Sequence, residues 1–259
     1  MTPKDYPRKI RIMLSLLFVI GLQVALASFF IYYVIHNDHG QKEPKKGIRA
    51  AIGFGLVALV ITVALTLTLK TLPGLEEVAD LNRDALQAGT IDITYLFLAA
   101  MLIGVVEETA KALPLALYIY KKPYFNELTD GILYFGITGI VFGLAESIIY
   151  TLMSGAGVGL MRVIITPFLH AGFSMWFGYA LARYKLHIGG LTPVMLAFVG
   201  SMLLHGLYDF GLFTGSAELV VGSLALALSL NIGVFLMYRH AQKIDAKLIA
   251  AGLEDRPTT

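Results

Sequence analysis

Seven apolar runs, at about 12–35, 50–70, 93–120, 130–153, 163–184, 190–214 and 217–238, occupy most of this 259-residue chain. A helix needs roughly 20 apolar residues to cross a bilayer, and inside lipid the backbone must satisfy its own hydrogen bonds. The expected fold is therefore all-α, a polytopic membrane protein with about seven transmembrane helices and the lipid bilayer as its first partner. At 57% hydrophobic and 15% charged, the chain leaves little for a soluble domain, where about half and about a quarter are usual.

Other features exclude functions. The chain has no cysteine, which rules out a disulfide framework, a thiol nucleophile and a thiolate metal site. Its lysines and arginines are scattered through short loops, so no basic patch for nucleic acid forms. Lys4, Arg8, Lys9 and Arg11 followed by Ala25-Leu26-Ala27 resemble a secretory leader, but hydrophobicity continues from Phe29 to Val34 and suits a membrane helix better. Four regions are expected: residues 1–74 with two helices, an acidic loop at 75–92 with Pro73-Gly74 marking the break, a five-helix core at 93–240 and a polar tail at 241–259. With the N-terminus outside, the inner loops and tail hold 12 basic residues against 7 on the other side. The positive-inside rule then places the C-terminus in the cytoplasm, and the expected location is the plasma membrane.

Five charged residues fall well within the spans, away from their ends, Glu107, Glu108, Lys111, Glu146 and Asp209, and so do His170 and His205. Each charge facing lipid would cost about 3 kcal/mol, so an internal polar cavity is required. Helical spacing agrees. Gly139, Gly143, Glu146 and Tyr150 share one face, with two glycines that admit a neighbouring backbone; Ser201, His205 and Asp209 share another, and Thr166, His170 and Ser174 a third. At ~1.5 Å per residue, Glu146 and His170 each lie ~10 Å from a loop at 154–162. His205 lies ~14 Å from the loop at 214–217, and Glu107 ~21 Å from the loop ending at Asp92. All of these loops are on one side, so the groups can share a layer. Four carboxylates against one lysine invite protonation or a cation, and histidines with carboxylates are donors that zinc accepts. Taken singly, a buried histidine or the Glu107–Lys111 spacing has a purely structural explanation; agreement across four helices points to a site.

The blocks EETAK (Glu107–Lys111), FGLAE (Phe142–Glu146), TPFLHAGFSMWFGYALAR (Thr166–Arg183) and HGLYDF (His205–Phe210) together resemble the PrsW family of intramembrane proteases, within the superfamily that includes the CAAX prenyl endopeptidases. The resemblance covers roughly residues 95–212. It implies hydrolysis of a peptide bond in a membrane protein or peptide substrate, with a membrane-anchored anti-sigma factor as the family's example. It assigns water activation to Glu107 and Glu108, and equates Glu146, His170, His205 and Asp209 with the family's other polar positions. CAAX-type enzymes resemble EExxxR with a histidine in the second block, whereas this chain has Lys111 and Glu146.

The expected site accordingly has Glu107, Glu108, Lys111 and Asp209 as catalytic groups. Glu146, His170 and His205 are expected to hold a divalent metal, zinc for preference. The alternatives are CAAX-type processing, a sensor or immunity protein on the same scaffold, and a proton- or cation-coupled transporter, against which the lack of an evident inverted repeat speaks.

Overall fold

The computed structural model describes residues 7–38, 40–69, 71 and 92–252. It contains seven long helices: α1 (Arg8–His36), α2 (Lys45–Leu69), α3 (Ile93–Ile119), α4 (Leu128–Ser154), α5 (Ala156–Lys185), α6 (Leu191–Phe213) and α7 (Ala217–Ala250). All seven are long and apolar enough to cross a membrane, and there is no strand among the described residues. The chain is an integral membrane protein of all-α class. Pro73-Gly74 and most of the acidic loop lie outside the described residues.

The innermost helix is α4. Every residue from Leu128 to Gly143 is buried, as expected of a helix that is hydrophobic all round. By contrast α1 buries only Val19, Gln23 and Ala27, and its remaining surface is left to lipid. The closest helix pairs are made by glycines. A Cβ on Gly139 would lie 2.5 Å from the His170 carbonyl oxygen, and one on Gly143 would lie 2.8 Å from His170 Cδ2, so α4 and α5 touch backbone to backbone where the sequence places two small residues. Between α3 and α6, Gly104 meets the Gly206 backbone in the same way. These contacts bring His170 onto α4 and His205 toward Glu107 and Glu108.

Two boundaries differ from the sequence reading. The loop expected at 154–162 is one residue, Gly155, in a left-handed conformation at φ 93°, and α5 starts at Ala156. The reason is local: a glycine takes this φ without strain, while the apolar residues Leu160, Met161 and Ile164 continue the helix. The polar tail is also part of the fold, since α7 runs to Ala250 with Ala241 and Asp245 buried. Asp245 accepts from the backbone N–H groups of Leu128 and Thr129, both at 2.9 Å, supplying partners for donors that a helix start leaves unpaired.

Around that helix start the polar groups close the bundle. Glu127 and Asp130 form a capping box, Gln41 N–H donates to Glu127 Oε1, and Tyr134 Oη donates to Glu43. The Glu43 carboxyl also lies close to that of Asp130. Burial pushes the Glu43 carboxyl up to about 7, aided by the charges of Asp38 and Glu127 and opposed by the bond to Asp130. Burial likewise raises Glu127 to about 7.

Candidate active site

Helical side chains lean toward their own N-terminus, and this settles how groups at different depths meet. Counted from Gly155, Glu146 is ~13 Å and His170 ~22 Å along its helix. The α4 chain enters from the far side and α5 from the Gly155 side, so Glu146 leans inward and His170 leans outward. They meet with His170 Nε2 2.9 Å from Glu146 Oε2. The same opposition holds between α3 and α6: Glu108 leans outward, His205 inward, and His205 Nδ1 sits 2.7 Å from Glu108 Oε1.

Lys111 connects the two halves. Its Nζ is 2.5 Å from Glu108 Oε1 and 2.8 Å from His170 Nδ1, and it lies over the Phe142 ring at 4.8 Å. An ammonium has hydrogens and no lone pair. His170 Nδ1 therefore accepts from Lys111, its hydrogen sits on Nε2, and Nε2 donates to Glu146. By the same logic Glu108 is a carboxylate that accepts from Lys111 and from His205 Nδ1–H. His205 Nε2 faces Glu107 Oε2 at 3.7 Å and Asp209 Oδ2 at 3.5 Å. Phe173 stacks on the His205 ring at 5.4 Å and Phe142 meets the His170 ring edge-on at 5.0 Å, which holds both imidazoles in place.

Glu107 stands apart from its neighbour. Glu108 Oε1 accepts two hydrogen bonds, whereas Glu107 Oε2 is buried with no hydrogen-bond partner. It faces His205 Nε2 and, at 3.9 Å, His170 Nδ1. Donor atoms of Glu107, His170 and His205 all lie within 4.8 Å of one another and could hold a metal ion. An orphaned carboxylate oxygen facing two imidazole nitrogens is what a bound cation would satisfy, and one carboxylate with two imidazoles is a donor set known for divalent ions. Lys111 must turn wholly to Glu108 for His170 Nδ1 to contribute.

The expected residues are thus brought together, with their partners rearranged. The structure groups Glu107, in the place expected for Glu146, with the two histidines. Glu146 is held instead by Arg162, whose Nη2 lies 2.7 Å from Glu146 Oε2 and whose guanidinium covers the Tyr150 ring at 4.1 Å. Sequence reasoning missed Arg162 because it placed this residue in a loop; the signal was the lone charge in the otherwise uncharged stretch 147–182. Thr166 and Ser174 share the His170 stripe but make no hydrogen bond to the charged groups. The site opens toward Gly155: the side chains of Lys111 and His170 are 1% and 3% exposed, those of Glu146, Asp209 and Arg162 16%, 15% and 23%.

Comparison with known proteins agrees with this picture. Residues 43–238 match the family described as PrsW family intramembrane metalloprotease. Similar proteins named Protease PrsW include those of Clostridioides difficile (29% identical over 123 residues, 44% of this chain and 51% of the relative) and Oceanobacillus iheyensis (31% over 109 residues, 42% and 51%). The Bacillus subtilis protein is 30% identical over 116 residues, covering 44% of this chain and 53% of the relative. The chain spans about half the length of the curated relatives it matches. No solved structure matches it. With four polar blocks converging between four membrane helices and the family match extending over most of the sequence, this chain belongs to the PrsW family.

Proposed function

We propose that the chain is an intramembrane endopeptidase in which Glu107 is the reacting carboxylate. The observation that carries this reading is the unpartnered Glu107 Oε2, buried and turned toward His205 Nε2 and His170 Nδ1. A divalent ion, zinc for preference, would be held by Glu107, His170 and His205 and would supply a water of lowered pKa and a polarised carbonyl.

The rest of the chemistry falls to the chain's own groups. Water and substrate enter from the Gly155 side, past Asp209, Glu146 and Arg162. As the water oxygen bonds to the scissile carbonyl carbon, its proton is held at Glu107 on the other carboxylate oxygen, Oε1, leaving Oε2, which faces the two imidazoles, to the ion. Delivery of that proton to the leaving nitrogen accompanies cleavage of the C–N bond and leaves a carboxylic acid and an amine, and the acid's proton then passes to the amine to give a carboxylate and an ammonium. Glu108 is a positioning residue: it fixes His205 with Nε2 facing the site, and it neutralises Lys111. Arg162 does the same for Glu146, which in turn sets the His170 tautomer.

The substrate class that fits is a membrane-anchored protein cut near the Gly155 side, a membrane-anchored anti-sigma factor being the example the resemblance implies. The opposite end carries Lys45, Lys46, Lys121, Lys122, Arg183, Lys185 and Lys243, so the positive-inside rule supports a cytoplasmic C-terminus in the plasma membrane and a site opening outward. The test is cleavage of a single-span peptide in proteoliposomes, with elemental analysis of the purified protein. Glu107→Gln is expected to abolish cleavage, by about 10²–10⁴-fold, with the fold retained; cleavage at the parental rate would overturn the assignment. If Glu107 ligates the ion, the same variant also loses metal.

A further inference from the structure

A groove lies on the side of the bundle away from the charged site, between α1 and α7, with α4 and α5 as its floor. The two walls are tied at one end, where Tyr238 Oη and Gln242 Nε2 donate to the Asn37 carbonyl at 2.8 and 3.0 Å. From there the groove runs into the bilayer region along Phe30, Ile140, Phe168, Ala171 and Val234, enclosing about 230 Å³. Its inner reach is marked by Asn231, eight residues or ~12 Å from Arg239.

The polar end is at headgroup depth. From Ala217 to Tyr238, α7 rises ~32 Å, about the thickness of the hydrocarbon core. Arg239, the next residue, is exposed, lines the groove and makes no ion pair among the described residues; Lys243 follows one turn later, also exposed. Of the acids at this end, Glu127, Asp130 and Asp245 are buried and Asp38 and Glu43 half-buried, whereas Lys42, Lys45, Lys46, Arg239 and Lys243 are exposed, so the exposed charge is predominantly positive. A groove that is apolar inside, cationic at the interface and open to the bilayer matches one acyl chain carrying an anionic headgroup.

We infer that the α1–α7 groove is a binding site for an anionic phospholipid, one acyl chain lying against Ile140 and Ala171 and the phosphate held by Arg239. This assignment does not depend on the catalytic reading. The occupant touches the chain neighbours of Gly139 and His170, on the side of α5 away from Glu107.

The full-length protein, reconstituted in phosphatidylcholine vesicles with a minor fraction of phosphatidylglycerol bearing a diazirine near the end of its acyl chain, tests this. Labelling is expected on peptides containing Ala171 and Val234. Arg239→Gln, a surface change that leaves the packing intact, should lower phosphatidylglycerol labelling about fivefold and leave that of the equivalent phosphatidylcholine probe unchanged. Val234→Trp should block both probes, while Leu228→Trp on the lipid face of the same helix should block neither. Equal labelling by the two probes in the parent protein, or labelling indifferent to Arg239→Gln, would overturn the proposal. So would displacement of the probe by a transmembrane peptide but not by excess unlabelled phosphatidylglycerol.

Discussion

Replacing Lys111 by methionine removes the one cation that lies between the two halves of the charged cluster. Its ammonium is 2.5 Å from Glu108 Oε1, 2.8 Å from His170 Nδ1 and 4.8 Å from the Phe142 ring centre, and the residue is 1% exposed. In the variant the Glu108 carboxylate keeps a single donor, His205 Nδ1–H, and His170 Nδ1 loses its own. Breaking a buried pair from one side costs about 3–5 kcal/mol, because the remaining charge stays desolvated. At about 2–4 °C per kcal/mol for a chain of this size, the midpoint of thermal unfolding in detergent should fall by about 10 °C. Adding Glu108→Gln to Lys111→Met removes the stranded charge, so the double variant should recover most of that loss. Activity should not return, because His205 no longer has a carboxylate to orient it. The assay is thermal unfolding of the four proteins of the cycle under one detergent condition, with peptide cleavage measured in parallel. A single variant as stable as the parent, or a double variant no better than the single, would refute the claim that Lys111 neutralises Glu108.

Three further outcomes are expected. Arg162→Gln frees Glu146 Oε2 from its 2.7 Å partner while leaving the cluster around Lys111 intact; cleavage should fall about tenfold with little change in unfolding temperature, whereas Arg162→Lys should recover part of the rate. Gly143→Ala places a methyl 2.8 Å from His170 Cδ2 and from Pro167 Cα, and should reduce both activity and stability, by about 1–3 kcal/mol for the latter; Gly157→Ala, with open space around it, should do neither. Glu43, with its carboxyl raised to about 7 from 4.5 in the unfolded chain, binds more protons folded than unfolded between these pH values. Its contribution is therefore full below about 4.5 and is lost as pH rises to about 7, by up to about 3 kcal/mol; unfolding temperatures at pH 5 and pH 8 should differ less in Glu43→Gln than in the parent.

Much of the site was legible because helical spacing is local. Glu107 to Lys111, His205 with Asp209, and Gly139 with Gly143 and Glu146 share faces by counting alone, and the cost of charge in lipid says that those faces must look inward. What counting cannot supply is which atom meets which across helices. Lys111 and His170 are 59 positions apart, and their contact depends on how closely α4 lies against α5. That approach also brings Arg162, one turn and more into α5, against Glu146, a pairing that spacing along a single helix does not show. Asp245 was read as part of a solvated tail because nothing in its neighbourhood is apolar enough to mark a core; its partners are backbone N–H groups at the start of α4, more than a hundred positions away. The one-residue turn at Gly155 was hidden by small residues on both sides, which read equally well as a loop.

The two glycine-mediated contacts have a mechanical consequence. They make α3 with α6, and α4 with α5, into two closely fitted blades, and the reactive groups lie along the seam between them. Glu107, Glu108, Lys111, His205 and Asp209 ride on one blade; Glu146, Arg162 and His170 ride on the other. Distances within a blade, such as 2.7 Å from His205 to Glu108 and 2.9 Å from His170 to Glu146, are fixed by its own packing. The distances that cross the seam, 2.8 Å from Lys111 to His170 and 3.9 Å from His170 to Glu107, are the ones that a small rocking of one blade against the other alters. On the proposed reading, a peptide that enters from the Gly155 side meets this seam, where alignment with the reacting groups depends on both halves and the integrity of each half does not.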